Sequence, residues 1–144
     1  MSNSFSADVD EFVRETKERM EAMTRYALND MVNDMQLTTD KGGRMRYKTG
    51  FLSNSGRASL DGYPSGVGQR PAGTLPGQYK WDGAALIAVL AQMKLGDTFY
   101  WGWIANYAPI REIYDGFMAA PLQNWQSYVN SAVARVKKEV GDAG

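Results

Sequence analysis

Residues 6–36 constrain this fold more than any other stretch. Apolar side chains recur at Val9, Phe12, Val13, Met20, Met23, Ala27, Met31 and Met35, mostly in steps of three and four. That spacing draws one stripe along an α-helix. Glu15, Lys17, Glu18, Arg19, Glu21 and Arg25 fall on the other faces. Ser6 is placed to cap the N-terminus, with Asp8, Asp10 and Glu11 near the positive end of the helix dipole. An unbroken helix of this length spans about 45 Å, which is long for a chain of 144 residues. Such a rod needs extra cover, from a sheet with a neighbouring subunit or from a second chain. The alternative is a break near Asn29-Asp30 that yields two ordinary helices.

The rest of the chain reads as shorter pieces. Thr49 to Leu60 starts a short element anchored by Phe51, Leu52 and Leu60, with Asn54, Ser55, Gly56 and Ser59 weakening any helix there. Residues 61–83 read as an extended loop within a single domain, 1–144. Gly62, Pro64, Gly66, Gly68, Pro71, Gly73, Pro76, Gly77 and Gly83 fall inside it, and a segment so built covers no core. The lone Gly66-Val67-Gly68 lacks the flanking residues of a phosphate-cradling loop. Residues 84–94 predict a buried helix of about three turns. Thr98 to Ala105 predicts a strand, with Phe99, Trp101 and Trp103 on one face and Tyr100 and Ile104 on the other. A turn at Asn106-Tyr107-Ala108-Pro109 follows, then one helical turn over Ile110 to Tyr114, stopped by Gly116. Pro121 is placed at the first position of a last helix that runs to about Val140 and closes at Gly141. The expected fold is α+β: a small antiparallel sheet packed against a long N-terminal helix and a C-terminal helix, with a long Gly/Pro-rich loop.

Composition removes whole classes of chemistry. The chain has no cysteine and no histidine. Thiolate nucleophiles, disulfides, iron–sulfur clusters and the commonest metal ligand and neutral-pH acid–base are therefore unavailable to it. Asp97, Glu112 and Asp115 flank the aromatic strand, where paired carboxylates would suit glycoside cleavage. Glu112 and Asp115 sit three apart on a surface turn, however, where pairing with Arg111 or a neighbour subunit is the simpler role. The expectation is no enzyme, no cofactor and no bound metal. Basic and acidic residues balance at 16 each, so a general nucleic-acid-binding surface is not signalled. The longest apolar run, Ala84 to Ala91, is eight residues, far short of a membrane span. The start of the chain is polar and acidic and reads as no signal peptide.

Two regions stand out as contact surfaces. Positions 1–40 carry nine acids and four basic residues, whereas Lys41, Arg44, Arg46, Lys48 and Arg57 follow over 41–60 with no acid. This basic run faces either solvent, or phosphates, or an acidic neighbour surface. The segment from Asp97 to Gly116 concentrates aromatics, and Tyr79 and Trp81 close the loop before it. Aromatic and methionine-rich surfaces are enriched at protein interfaces, and closed symmetric rings are a common outcome. A second function class stays open on the same residues: a soluble peptide- or carbohydrate-binding module using the aromatic strand with Tyr79 and Trp81.

Four short motifs carry a family resemblance. Thr49-Gly50-Phe51-Leu52-Ser53-Asn54-Ser55 resembles a TG-x-L-x-x-S/N stretch. Leu95-Gly96-Asp97-Thr98, followed by Asn106-Tyr107-Ala108-Pro109, resembles GD-x…N-x-x-YA. Ile113-Tyr114-Asp115-Gly116 takes the place of an E-Y/F-G turn, and Ala120-Pro121 that of an AP helix start. In this order, framed by two helices, they resemble the tail-completion and tail-terminator family of head–tail joining proteins of tailed bacteriophages. The sequence departs from that pattern in two places. Glu112 precedes Gly116 by a longer spacing than the family's glutamate, and Ser53-Asn54 stands where an arginine is usual.

The resemblance implies a non-enzymatic virion subunit at the head–tail junction, assembled in the host cytoplasm. It implies a homo-oligomer, a hexameric ring, that caps the tail tube, meets the head connector and lets genomic DNA pass without sequence recognition. The basic run Lys41, Arg44, Arg46 and Lys48 becomes the lumen or docking candidate. Tyr79, Trp81, Tyr107, Arg111, Glu112, Tyr114 and Asp115 become candidates for contacts with neighbours.

Overall fold

A computed structural model describes residues 2–143, with side chains for 5–142. Helix α1 runs unbroken over Ser2–Gln36, 35 residues. Asn29-Asp30 does not interrupt it, and Ser6 lies inside the helix rather than capping it. Exposed i,i+4 ion pairs such as Arg14–Glu18 and Arg19–Glu15 line its outer faces, each supporting the helix only slightly. Its chief partner is the last helix, α6, Trp125–Ala143. The Tyr26 hydroxyl donates to Glu139 at 3.0 Å, and the Tyr128 hydroxyl donates to Asp34 at 2.6 Å. These two bonds fix an antiparallel pair, and buried Ala27 and Met31 on α1 and Ala132 and Val136 on α6 lie between the levels they mark.

The expected last helix is in fact two. Helix α5, Ala119–Gln123, is separated from α6 at Asn124, which leaves the helical conformation at φ −98°, ψ 17°. Pro121 occupies the third position of α5 and is buried. Any of the first three helical positions tolerates proline, because their N–H groups have no partner inside the helix. Gly141 does not close α6, which continues to Ala143.

Between these helices lies the small sheet. Helix α2, Phe51–Asn54, is a single turn, and strand β1 follows it over Gly56–Ser59. It pairs antiparallel with β2, Tyr100–Trp103, in the register Gly56 to Trp103 and Ser59 to Tyr100. Gly56 is required by close approach: a Cβ there would lie 2.5 Å from the Trp101 ring and 2.7 Å from the Gln36 amide nitrogen. Helix α3, Ala84–Gln92, packs on β1 and α1. Leu86 and Leu90 are buried, whereas Ile87 is exposed, so α3 is half covered rather than buried all round. Arg25 on α1 donates to the Leu90 and Met93 carbonyls at 2.9 and 2.8 Å. A cation there meets the negative end of α3.

Two apolar clusters result. Val32, Leu86, Leu90 and Met93 form one, flanked by Trp81, Phe99 and Trp101. Met45, Leu52, Ala105, Ala108 and Phe117 form the other, flanked by Phe51, Trp103 and Tyr107. A chain of edge-on rings joins them: Trp81 to Trp101 at 6.3 Å, Trp101 to Trp103 at 5.7 Å, and Trp103 to Phe117 at 4.8 Å. Edge-to-face geometry is favoured by the ring quadrupoles. Gln36, only 4% exposed, ties the sheet to α1 by donating to the Ser53 carbonyl at 2.8 Å and accepting from the Trp103 indole at 2.7 Å.

These ring contacts lie within the chain, while Tyr100 to Trp103 each stay half-buried. The turn expected over residues 106–109 is also different. Ala108 and Pro109 already belong to helix α4, Ala108–Asp115, in which proline sits in the first turn and Gly116 stops the helix at φ +67°. Residues 61–83 contain no helix or strand, and Gly68 forms an isolated bridge to Ala105.

Candidate functional site

A cleft of about 440 Å³ opens beside the C-terminal end of α1. Thr38 and three further stretches of chain wall it. Residues 46–53 come first. Thr38 and Met45 bridge to each other, and a 3-10 turn over Thr39–Lys41 fills the bend between them. That bend turns the basic run back across the end of α1. Gln69 and Arg70 come from the Gly/Pro-rich loop, held because Gly68 donates to the Ile104 carbonyl and accepts from Asn106 at 2.8 Å. Asn106, Tyr107 and Arg111 come from the start of α4.

Gly50 sits at a point where glycine is needed. Its φ is +81°, and a Cβ would lie 1.9 Å from the Tyr79 carbonyl oxygen. The close approach lets the loop pair with residues 48–49, with Gly77 donating to Lys48 and Tyr79 to Thr49, both at 2.9 Å. Phe51 then packs edge-on against Tyr79 at 5.3 Å and near Tyr107 at 6.3 Å.

The cleft's charge is positive. Arg46, Lys48, Arg70 and Arg111 line it, and no carboxylate does. Arg111 pairs with Asp115 one turn later on α4, its Nε donating at 3.2 Å. Asp115 also accepts the Arg46 backbone N–H at 3.3 Å, so one carboxylate fastens the basic run to α4. Arg46, Lys48 and Arg70 have no ion-pair partner among the described residues. Burial pushes the Tyr107 phenol above its ordinary range, opposed by the Arg70 charge and a Leu52 backbone hydrogen bond. Tyr107 therefore stays neutral and serves the cleft as a ring and a hydroxyl.

The residues expected at the site divide into groups. Arg46, Lys48, Tyr107 and Arg111 meet in the cleft, and Asp115 stands directly behind it. Lys41 and Arg44 are exposed on the bend and do not line it. Tyr79 and Trp81 are half-buried, engaged with Phe51 and Trp101, and point to no shared surface. Glu112 accepts the backbone N–H groups of Met118 and Ala119 at 2.8 and 2.9 Å, capping the start of α5. Tyr114 is 76% exposed and sits beside Ile113 at 81%. Arg70, Thr38, Tyr47 and Asn106 were not foreseen. Nothing local marks them, because the long-range pairing of Gly68 places Arg70, and the Thr38–Met45 bridge places Thr38.

The three carboxylates considered for catalysis all have structural partners. Asp97 accepts the Lys94 N–H at 2.7 Å, Glu112 caps α5 and Asp115 pairs with Arg111. Among the described residues no three acidic side chains gather as a metal site, and no helix is long and apolar enough to cross a membrane. No known protein family, curated protein or solved structure matches this chain.

Proposed function

We propose that the chain is a structural subunit of the head–tail junction of a tailed bacteriophage, forming a ring that caps the tail tube and meets the connector. One observation supports this most directly. The apolar stripe of α1, covered by α6 at Ala27 and Met31, continues uncovered at its start: Phe5 is 73% and Phe12 is 68% exposed, with Val9 and Val13 beside them. A solitary chain gains nothing from two exposed phenylalanines in register, whereas a subunit buries them against a neighbour. The ordered TG, GD, N-Y-A and A-P motifs give the reading its class. The exposed Ile110, Ile113 and Tyr114 on α4 supply a second patch of the same character.

The test is electron microscopy of the purified chain, alone and with purified phage tail tubes. Rings, or caps on tube ends, are expected. Uncapped tubes beside a monomer at all concentrations would contradict the reading. Lys41, Arg44, Arg46 and Lys48 replaced together by glutamine should leave the circular-dichroism melt in place and impair docking or DNA retention. Full infectivity of that variant would show that the run is only solvated.

A further inference from the structure

The uncovered start of α1 and the cationic cleft lie at opposite ends of one helix. Phe5 and Gln36 are separated by 31 residues of continuous helix, which is about 46 Å. The arm cannot fold back into its own cleft. It also extends past its partner helix: near its C-terminal end, Val136, Glu139 and Val140 of α6 lie beside Glu15, Glu18, Arg19 and Ala22. Residues 5–13 thus project as roughly two and a half turns of amphipathic helix.

The arm and the cleft are complementary in charge. Over residues 5–18 the arm carries Arg14 and Lys17 against Asp8, Asp10, Glu11, Glu15 and Glu18, so 2 − 5 = −3. The cleft has four lining cations, with Asp115 pairing one of them, so 4 − 1 = +3. On a helical wheel Phe5, Val9, Phe12 and Val13 form one face, at the i, i+4, i+7 and i+8 positions that anchor a helix in a groove. Asp8 and Asp10 fall on either side of that face. The cleft offers Leu52, Tyr47 and Tyr107 as apolar wall and Arg46, Lys48 and Arg70 as cations. Its volume falls within the roughly 300–1,000 Å³ of sites that hold compact ligands, enough for a few side chains and too small for a duplex.

We infer that the α1 arm of one copy docks in the Arg46–Lys48–Arg70 cleft of the next copy. Two different surfaces at the two ends of one rod make a heterologous contact, which produces a closed ring or an open filament. The inference rests on the ring reading above and supplies that ring's subunit contact.

The absence of cysteine makes the test direct. Ser6→Cys places a thiol on the arm at the edge of its apolar face and Gln69→Cys places one at the cleft, and neither changes charge. A chain carrying both, treated with a short bismaleimide at concentrations where it assembles, should give a ladder of covalent dimer, trimer and higher species. Each single variant should give at most a trace of dimer. Asp8→Lys with Asp10→Lys, or Lys48→Glu with Arg70→Glu, should each abolish the ladder. All four changes in one chain should restore it. Dimers from Ser6→Cys alone would show arm meeting arm and overturn the inference, as would an unchanged ladder from the Lys48→Glu, Arg70→Glu chain. A ring by particle mass with no ladder overturns the contact and leaves the functional reading standing. A ladder from particles that never cap tail tubes does the reverse. A monomer without a ladder removes both.

Discussion

Replacing Gln36 by methionine tests whether the fold is held at the point where α1, α2 and β2 meet. The Gln36 amide is buried and makes two bonds, to the Ser53 carbonyl and from the Trp103 indole N–H. Methionine keeps the length and the packing and removes both. A buried polar group left without its partner costs about 1–3 kcal/mol. Ser53 is buried, whereas Trp103 is half-buried and recovers part of its loss from water. The expected cost is therefore about 2–3 kcal/mol. For a chain of this length each kcal/mol lowers the melting temperature by about 3–4 °C, so the expected fall is roughly 6–12 °C. Urea melts followed by circular dichroism and tryptophan fluorescence give the number. Trp103→Phe, alone and combined with Gln36→Met, completes a double-mutant cycle. The two changes should be less than additive, by about 1 kcal/mol. A Gln36→Met chain within about 0.5 kcal/mol of the parent, or strict additivity, would refute the reasoning, because the amide would then not be joining the elements.

Three further outcomes follow from single contacts. Gly50→Ala meets the Tyr79 carbonyl at 1.9 Å as well as an unfavourable φ, whereas Gly116→Ala at φ +67° meets nothing within 4 Å. The second should cost only the left-handed penalty of about 1–2 kcal/mol, and the first clearly more, with faster proteolysis of residues 61–83; equal costs would deny the close packing of that loop. Glu112→Ala should cost about 1 kcal/mol, the usual worth of an N-terminal cap, and speed amide exchange at Met118 and Ala119; unchanged exchange would mean that the cap is idle. Burial, then the Asp34 hydrogen bond and charge, push the Tyr128 phenol up to about 12. The folded chain holds that proton where the unfolded chain, at the ordinary phenol value of 10.0, has released it. This contribution is complete below pH 10 and disappears as pH rises to about 12. Tyr128→Phe should therefore flatten the loss of melting temperature between pH 9 and about 11.5, and an identical slope in both chains would contradict the assignment.

The two long helices and the aromatic strand were legible because each has a regular period over many residues. The stripe from Val9 to Met35 carried α1, and the alternation of Phe99, Trp101 and Trp103 carried β2. What was misread rested on single-residue signals. Ser6 has the chemistry of a cap, yet the helix begins before it, so the local preference had nothing to cap. Pro121 and Gly141 are common helix boundaries, but Pro121 is placed by its burial in α5 and Gly141 is carried along by α6. The basic run was visible as a charge shift. Its site was not, because Arg70 arrives from a loop whose path is set by Gly68 and Ile104, and Arg111 is steered by Asp115. The aromatic segment reads as a contact surface; its tryptophans pair with one another while staying half-buried, and the most exposed apolar side chains of α1 and α4 are Phe5 and Phe12 on the first and Ile110, Ile113 and Tyr114 on the second.

The particle mass of the full chain in solution, measured by multi-angle light scattering across a range of concentrations and then on tail tubes, tests the central claim most directly. A hexameric ring of 16.0 kDa subunits is expected at 6 × 16.0 = 96 kDa, with the same ring seated on tube ends. A particle that stays at 16.0 kDa and leaves the tube ends bare would contradict it.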